Sequence, residues 1–182
     1  MATVGPDGDD ATAALAPVEM ERGALATFDA LFDAHYARAV RLAWMLSPGA
    51  GSAAEDAAAD AIAKVWPRWA KGQVEEFWPY LRVAVCNEVR MRGRRLSLAR
   101  RAAPTRERAD ERAFDAGVVD RAVLAGALRA LPPRQRAAIV LRFYEDLSEA
   151  ETARLMRCSV GTVKSTTARA LDALREQMKD AR

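Results

Sequence analysis

An all-α fold of two small helical domains joined by a flexible linker is predicted, on three observations. Apolar residues recur at i, i+3, i+4 and i+7 through two long blocks, the spacing of one helix face. Alanine is frequent and β-branched runs are short, which favours helix over sheet. Breaks in the pattern fall at Pro, Gly and Ser clusters that stop or start helices. At 182 residues and 51% hydrophobic, the chain can supply one ordinary core or two small ones.

Residues 1–24 carry Asp7, Asp9, Asp10, Glu19 and Glu21 against Arg22 and read as a disordered acidic tail. The first domain is expected over 25–96. Its first helix, about 27–46, lines up Phe28, Leu31, Phe32, His35, Ala39, Leu42, Ala43 and Leu46 on one face, and Ser47-Pro48-Gly49 ends it. Ser52-Ala-Ala-Glu55 has the form of a capping box opening a second helix that runs to about Trp69. Lys71-Gly72-Gln73 breaks the pattern. A third helix, about 77–95, has Phe77, Leu81, Ala84, Val85 and Val89 on one face and a basic end, Arg90, Arg92, Arg94 and Arg95. Trp66, Trp69 and Phe77 read as core; Trp78 and Tyr80 are open. Residues 97–117 mix Arg with Asp and Glu without periodicity and read as the linker. Fully extended, about 20 residues reach roughly 70 Å. That reach is enough to separate two domains by about two turns of DNA.

The second domain is expected over 118–182. A helix over 118–130 stops at Leu131-Pro132-Pro133. Pro133 suits the first turn of the next helix, where no N–H is needed. That helix carries Ala137, Ile139, Val140 and Phe143. Ser148-Glu-Ala-Glu151 is a second capping box, opening a short helix to about Met156. A tight turn, Arg157-Cys158-Ser159, leads into a long helix from about Val160 to Lys179.

Short helix, tight turn and longer helix, from Leu147 to Leu174, have the form of a helix-turn-helix. Ala150, Ala153 and Leu155 are expected to pack inward. Val160, Val163, Ala170, Leu171 and Leu174 form the expected buried stripe of the longer helix. Its other face presents Thr162, Lys164, Ser165, Ala168 and Arg169. Short hydroxyl residues let a backbone approach phosphates; Lys and Arg bring charge, and Arg can bridge guanine O6 and N7. The helix N-terminal amides also favour a phosphate. A plain helical hairpin with a solvated face has the same periodicity; the full 28-residue pattern favours DNA.

The charge is uneven. The tail is net −4 and the whole chain +3, so the remainder carries +7. A basic body suits a polyanion. Nearly all of that charge is Arg, which a GC-rich genome would also enrich. Cys86 and Cys158 form no CxxC site, and a reducing, cytoplasmic setting is expected. The start has no basic n-region or apolar run, so no signal peptide is expected, and no stretch reaches 18 apolar residues. His35, the single His, sits in an apolar stripe. No phosphate loop, metal-spaced cluster or nucleophile elbow is visible, so the chain is not read as an enzyme, and no cofactor or metal is expected.

Leu131 to Leu174, LPPRQRAAIVLRFYEDLSEAETARLMRCSVGTVKSTTARALDAL, resembles region 4 of extracytoplasmic-function (ECF) sigma factors, of the actinobacterial type. That resemblance implies reading of the −35 promoter element by Lys164, Ser165, Ala168 and Arg169, and docking on the flap of the RNA polymerase β subunit. Thr166 stands where the family often has Arg, and Ala168 where a larger side chain is common. Phe28 to Arg95 resembles region 2, a bundle of three or four helices. Ala54 to Trp69 is similar to the helix that binds the coiled coil of the polymerase β′ subunit, with Asp56 and Asp60 one turn apart on one face. The Gln usual before the second acid is Ala59. The other reading of these two acids is a solvated helix start, where acids are favoured anyway.

Phe77 to Asn87 resembles the segment that opens and reads the −10 element, with Asn87 as the base-contacting residue. The loop at about 70–76 matches the one that holds a flipped base. A melted strand needs aromatic faces, an edge reader and cations for phosphates. Trp78, Tyr80, Arg82, Asn87, Arg90, Arg92, Arg94 and Arg95 are of those types. Met91 replaces an acid common in relatives. Regions 2 and 4 alone make the minimal form, and the family often has membrane or soluble anti-sigma partners. The competing function is a stand-alone helix-turn-helix regulator with a helical partner-binding domain. Such proteins usually dimerise on half-sites and have no need of the aromatic, basic segment 77–95.

Overall fold

The computed structural model of the chain describes residues 27–47, 51–102 and 118–180. Among these the chain is all-α: α1 (Phe28–Leu46), α2 (Gly51–Ala70), α3 (Phe77–Ala102), α4 (Val118–Ala130), α5 (Pro133–Ile139), α6 (Glu149–Met156) and α7 (Val160–Asp180). None of the described helices is long and apolar enough to cross a membrane. The acidic tail 1–24 and residues 103–117 lie outside the described residues.

α1, α2 and α3 pack around Leu31, Leu42, Ile62, Val65, Phe77, Leu81 and Val85, all buried. The facing surface of α2 is mostly small: Ala54, Ala57, Ala58 and Ala61 are buried there. Small side chains let neighbouring helix axes come close, so the large residues of α1 and α3 fill the remaining space. Thr27 caps α1, its hydroxyl accepting from Ala30 N at 3.2 Å.

Two boundaries differ from expectation. α2 already includes Gly51, so Ser52 is inside the helix and does not serve as the N-cap of a Ser52–Glu55 box. α3 continues to Ala102, past the expected end near residue 95. Leu96-Ser-Leu-Ala-Arg-Arg contains no Gly or Pro to stop it, and Leu, Ala and Arg are strong helix formers. The first six residues of the expected linker are therefore helical.

In the second unit Pro133 stands in the first turn of α5, as expected. After Ile139 the winding widens into a π-helical turn, Val140–Tyr144, with Glu145 N donating to Val140 O at 3.1 Å. Asp146 follows at φ 50°, in the left-handed region. The extra residue in this turn shifts the helix face. Phe143 is 59% exposed, while Glu145 turns inward. The Ser148 box is present: Ser148 Oγ accepts from Glu151 N at 3.2 Å, and Glu151 Oε2 accepts from Ser148 N at 2.8 Å.

The described residues of the two units touch. Leu128, Leu131, Val140 and Ala170 of the second belong to the same apolar cluster as the core of the first. Cys86 of α3 lies in a smaller cluster with Leu141 and Leu147. Apolar faces left uncovered on both units account for this packing: hiding them from water is favourable and needs no linker tension.

Candidate nucleic-acid interface

The turn between α6 and α7 is tight because Arg157 adopts the left-handed conformation, φ 54°, and ends α6. Ser159 Oγ accepts from Thr162 N at 3.2 Å and starts α7. Val163 and Ala170 are fully buried, while Leu171 and Leu174 are half-buried. Val160 and Ala150, expected inside, are exposed. Val160 stands about 80° round the helix from Ala170, at the edge of the stripe.

The predicted DNA-facing residues do share one open face. Lys164, Ser165, Ala168 and Arg169 are exposed and Thr162 is half-exposed. Ser165 Oγ donates to Thr162 O at 3.2 Å, and Arg169 Nη2 reaches Ser165 Oγ at 3.5 Å. Lys164 Nζ lies 3.4 Å from Glu149 Oε2. An exposed pair of this kind contributes about 0–1 kcal/mol, so a phosphate can take the lysine over.

The −10 candidates on α3 do not form one open surface. Trp78 is 9% exposed, with the Arg38 guanidinium 3.7 Å from its ring centroid. Its Nε1 donates to Glu145 Oε2 at 3.1 Å. Arg82 is 3.5 Å from the same carboxylate oxygen. Arg90 donates to Leu155 O at 2.7 Å and to Asn87 Oδ1 at 3.1 Å. Tyr80 hydrogen-bonds Arg68, whose guanidinium stands 5.7 Å from the ring centroid. Arg94 and Arg95 are exposed. In the 70–76 loop Gly72 takes φ 67° and Val74 is buried. Trp69 and Phe77 are core as expected, and Trp66 is partly buried against it.

Asp56 and Asp60 point outward, 67% and 54% exposed at the side chain, and both are engaged by one residue. Arg92 approaches Asp56 Oδ2 at 3.5 Å and Asp60 Oδ2 at 2.7 Å. Sequence reasoning placed Arg92 with the nucleic-acid cations and missed this pairing. It also missed Arg38 and Glu145, for which no local signal exists.

His35 packs against Phe77, ring centroids 4.9 Å apart, and lies parallel to Trp78 at 6.2 Å. Burial, and then the Arg38 charge, push its pKa below the ordinary 6.5. The folded state therefore favours neutral imidazole. The resulting stability is complete above pH 6.5 and is lost as pH falls through that value toward the lower folded pKa. Urea midpoints at pH 7.5 and 5.5 should differ more for the natural chain than for His35→Gln; equal differences would rule this out. The Cys86 thiol is pushed up to about 12, chiefly by burial.

Residues 121–174 match the family model described as Sigma-70, region 4. This segment is similar to sigma-70 region 4 and runs from α4 through most of α7. The exposed face of α7 lies within the matched segment. The chain is also 45% identical over 78 residues to an RNA polymerase sigma-E factor of Streptomyces antibioticus, covering 42% of this chain and 43% of the relative. It is 51% identical over 59 residues to the sigma-E factor of Streptomyces coelicolor, covering 32% and 33%. The matches span less than half the length of these curated relatives. In fold, the chain is similar to the sigma factor RpoE crystallised with the anti-sigma factor NepR from Bartonella quintana. The TM-score is 0.70 at 24% identity, covering 85% of this chain and 98% of that one. That likeness in fold extends beyond the matched segment 121–174.

Proposed function

We propose that the chain is an ECF-type sigma factor that brings core RNA polymerase to promoters in the cytoplasm. The observation that carries this reading is the region 4 match together with an open α7 face bearing Lys164, Ser165, Ala168 and Arg169. These residues read the −35 element in the major groove. The second unit docks on the β flap, while Asp56 and Asp60 meet basic residues of the β′ coiled coil. Tyr80, Asn87, Arg94 and Arg95 contact the −10 strand, together with Trp78, Arg82 and Arg90 once these are uncovered. Polymerase supplies all of the chemistry. Boundaries at 25–96, 97–117 and 118–182 describe the working units, the helical residues 97–102 belonging with the first. An anti-sigma factor is a further expected partner.

Mixing the purified chain with core polymerase should yield co-elution and start-site-specific transcripts from a promoter library. Absence of both sinks the proposal. Tight duplex binding by the chain alone, with no transcript, would point to a stand-alone regulator. Replacing Asp56 and Asp60 together by Ala should weaken co-elution and leave the helical content unchanged. The exposed Arg92 pairs contribute little to stability, about 0–1 kcal/mol. Unchanged co-elution would remove these two residues from the interface.

A further inference from the structure

We propose that Glu145 is an internal latch, a carboxylate of the second unit that occupies Trp78 and Arg82 in place of a nucleic-acid strand and holds the chain closed. The proposal rests on the −10 reading for what opens the latch, but not for the latch itself.

Glu145 follows the π-helical turn and has a side chain only 1% exposed. Its Oε2 is shared by Trp78 Nε1 at 3.1 Å, Arg38 at 3.5 Å and Arg82 at 3.5 Å, all from the first unit. One buried acid thus gathers an indole N–H and two guanidinium groups from two helices. Melted nucleic acid would ask for the same groups: an aromatic surface for a base and a guanidinium for a phosphate. A carboxylate oxygen, like a phosphate oxygen, is an anionic acceptor for the Arg82 guanidinium.

The contact is built to be released. Glu145 Oε1 and Arg82 Nε are buried with no hydrogen-bond partner among the described residues. A buried ion that is only partly satisfied gains little over its hydrated state. Around it, Arg90 donates to the C-terminal carbonyl of Leu155 in α6, and Arg136 to Leu46 O at the end of α1, 3.2 Å. Cations at helix C-termini are favourable, and these two tie each unit to a helix end of the other. Beside the latch the apolar contact is the small cluster of Cys86 with Leu141 and Leu147, separate from the larger one through Leu128, Leu131, Val140 and Ala170. A strand bringing several phosphates can therefore replace one carboxylate.

Cys86 reports the opening. It is 7% exposed in the seam, with a thiol pushed up to about 12, so it should react slowly with thiol reagents while the latch is shut. In full-length chain carrying Cys158→Ser, Cys86 is the sole remaining thiol. Glu145→Ala should speed its modification by a disulfide reagent on the order of tenfold or more, with circular dichroism unchanged. If that variant loses helix, Arg38→Gln loosens the same carboxylate from the half-exposed side and should speed labelling several-fold. Labelling unchanged in the folded variants overturns the latch. A mixed-sequence single-stranded oligonucleotide at low salt should bind the opened variants more tightly and speed labelling of the natural chain. Faster labelling with oligonucleotide affinity unchanged overturns the competition and the −10 roles of Trp78 and Arg82. The sigma-factor reading itself is tested separately, by transcription.

Discussion

Replacing Phe77 with alanine is expected to lower stability by about 3–5 kcal/mol, the usual cost of deleting a buried aromatic ring. Phe77 is fully buried at the start of α3. Trp69 meets its ring edge-on at 5.5 Å and 75°, and His35 lies at 4.9 Å. α1, α2 and α3 each contribute to this contact, so the cavity cannot close by moving one helix. A loss of that size is a large part of the stability of an ordinary domain. Urea unfolding at neutral pH measures it. A loss below about 1 kcal/mol would mean that the helices repack around the gap.

Arg169→Ala is expected to cost roughly 1–3 kcal/mol at the preferred −35 sequence and to relax the choice of one base pair. Holoenzyme binding to a panel of single-base −35 variants measures both. An equal loss on every sequence would identify a phosphate contact instead. Lys164→Ala should behave in that second way, weakening all sequences alike and lowering the salt slope by about 1. The difference follows from the side chains: a guanidinium can present two parallel donors to one base edge, whereas an ammonium offers a point charge.

Local signals in the sequence were enough for most of the helices. Periodicity marked their faces, and Pro133 and the Ser148–Glu151 box marked two starts that the structure contains. Ser52–Glu55 has the same spacing but lies within a helix, because a capping box needs a non-helical residue at its head and the spacing alone does not supply one. The α7 face was legible for the same reason as the helices: its residues are three and four apart, so neighbours in sequence are neighbours in space. The seam between the units was not. Trp78 and Glu145 are 67 positions apart, and Arg38 and Glu145 are 107. Nothing near Glu145 distinguishes it from a solvated acid, and the aromatic and basic character of segment 77–95 is equally consistent with an open surface. Glu145 is hidden for a further reason: the helical period assumes regular winding, and Val140–Tyr144 just before it is wound differently.

That wider turn makes the chain sensitive to length at one place. It accommodates one residue more than a regular coil would, and each residue advances an α-helix by about 100°. Deleting one residue there would return the backbone to ordinary phase and swing the acid that follows away from the indole facing it. Natural shortening or lengthening of this stretch would thus act as a coarse dial between shut and open forms, with the chemistry of every remaining side chain unchanged.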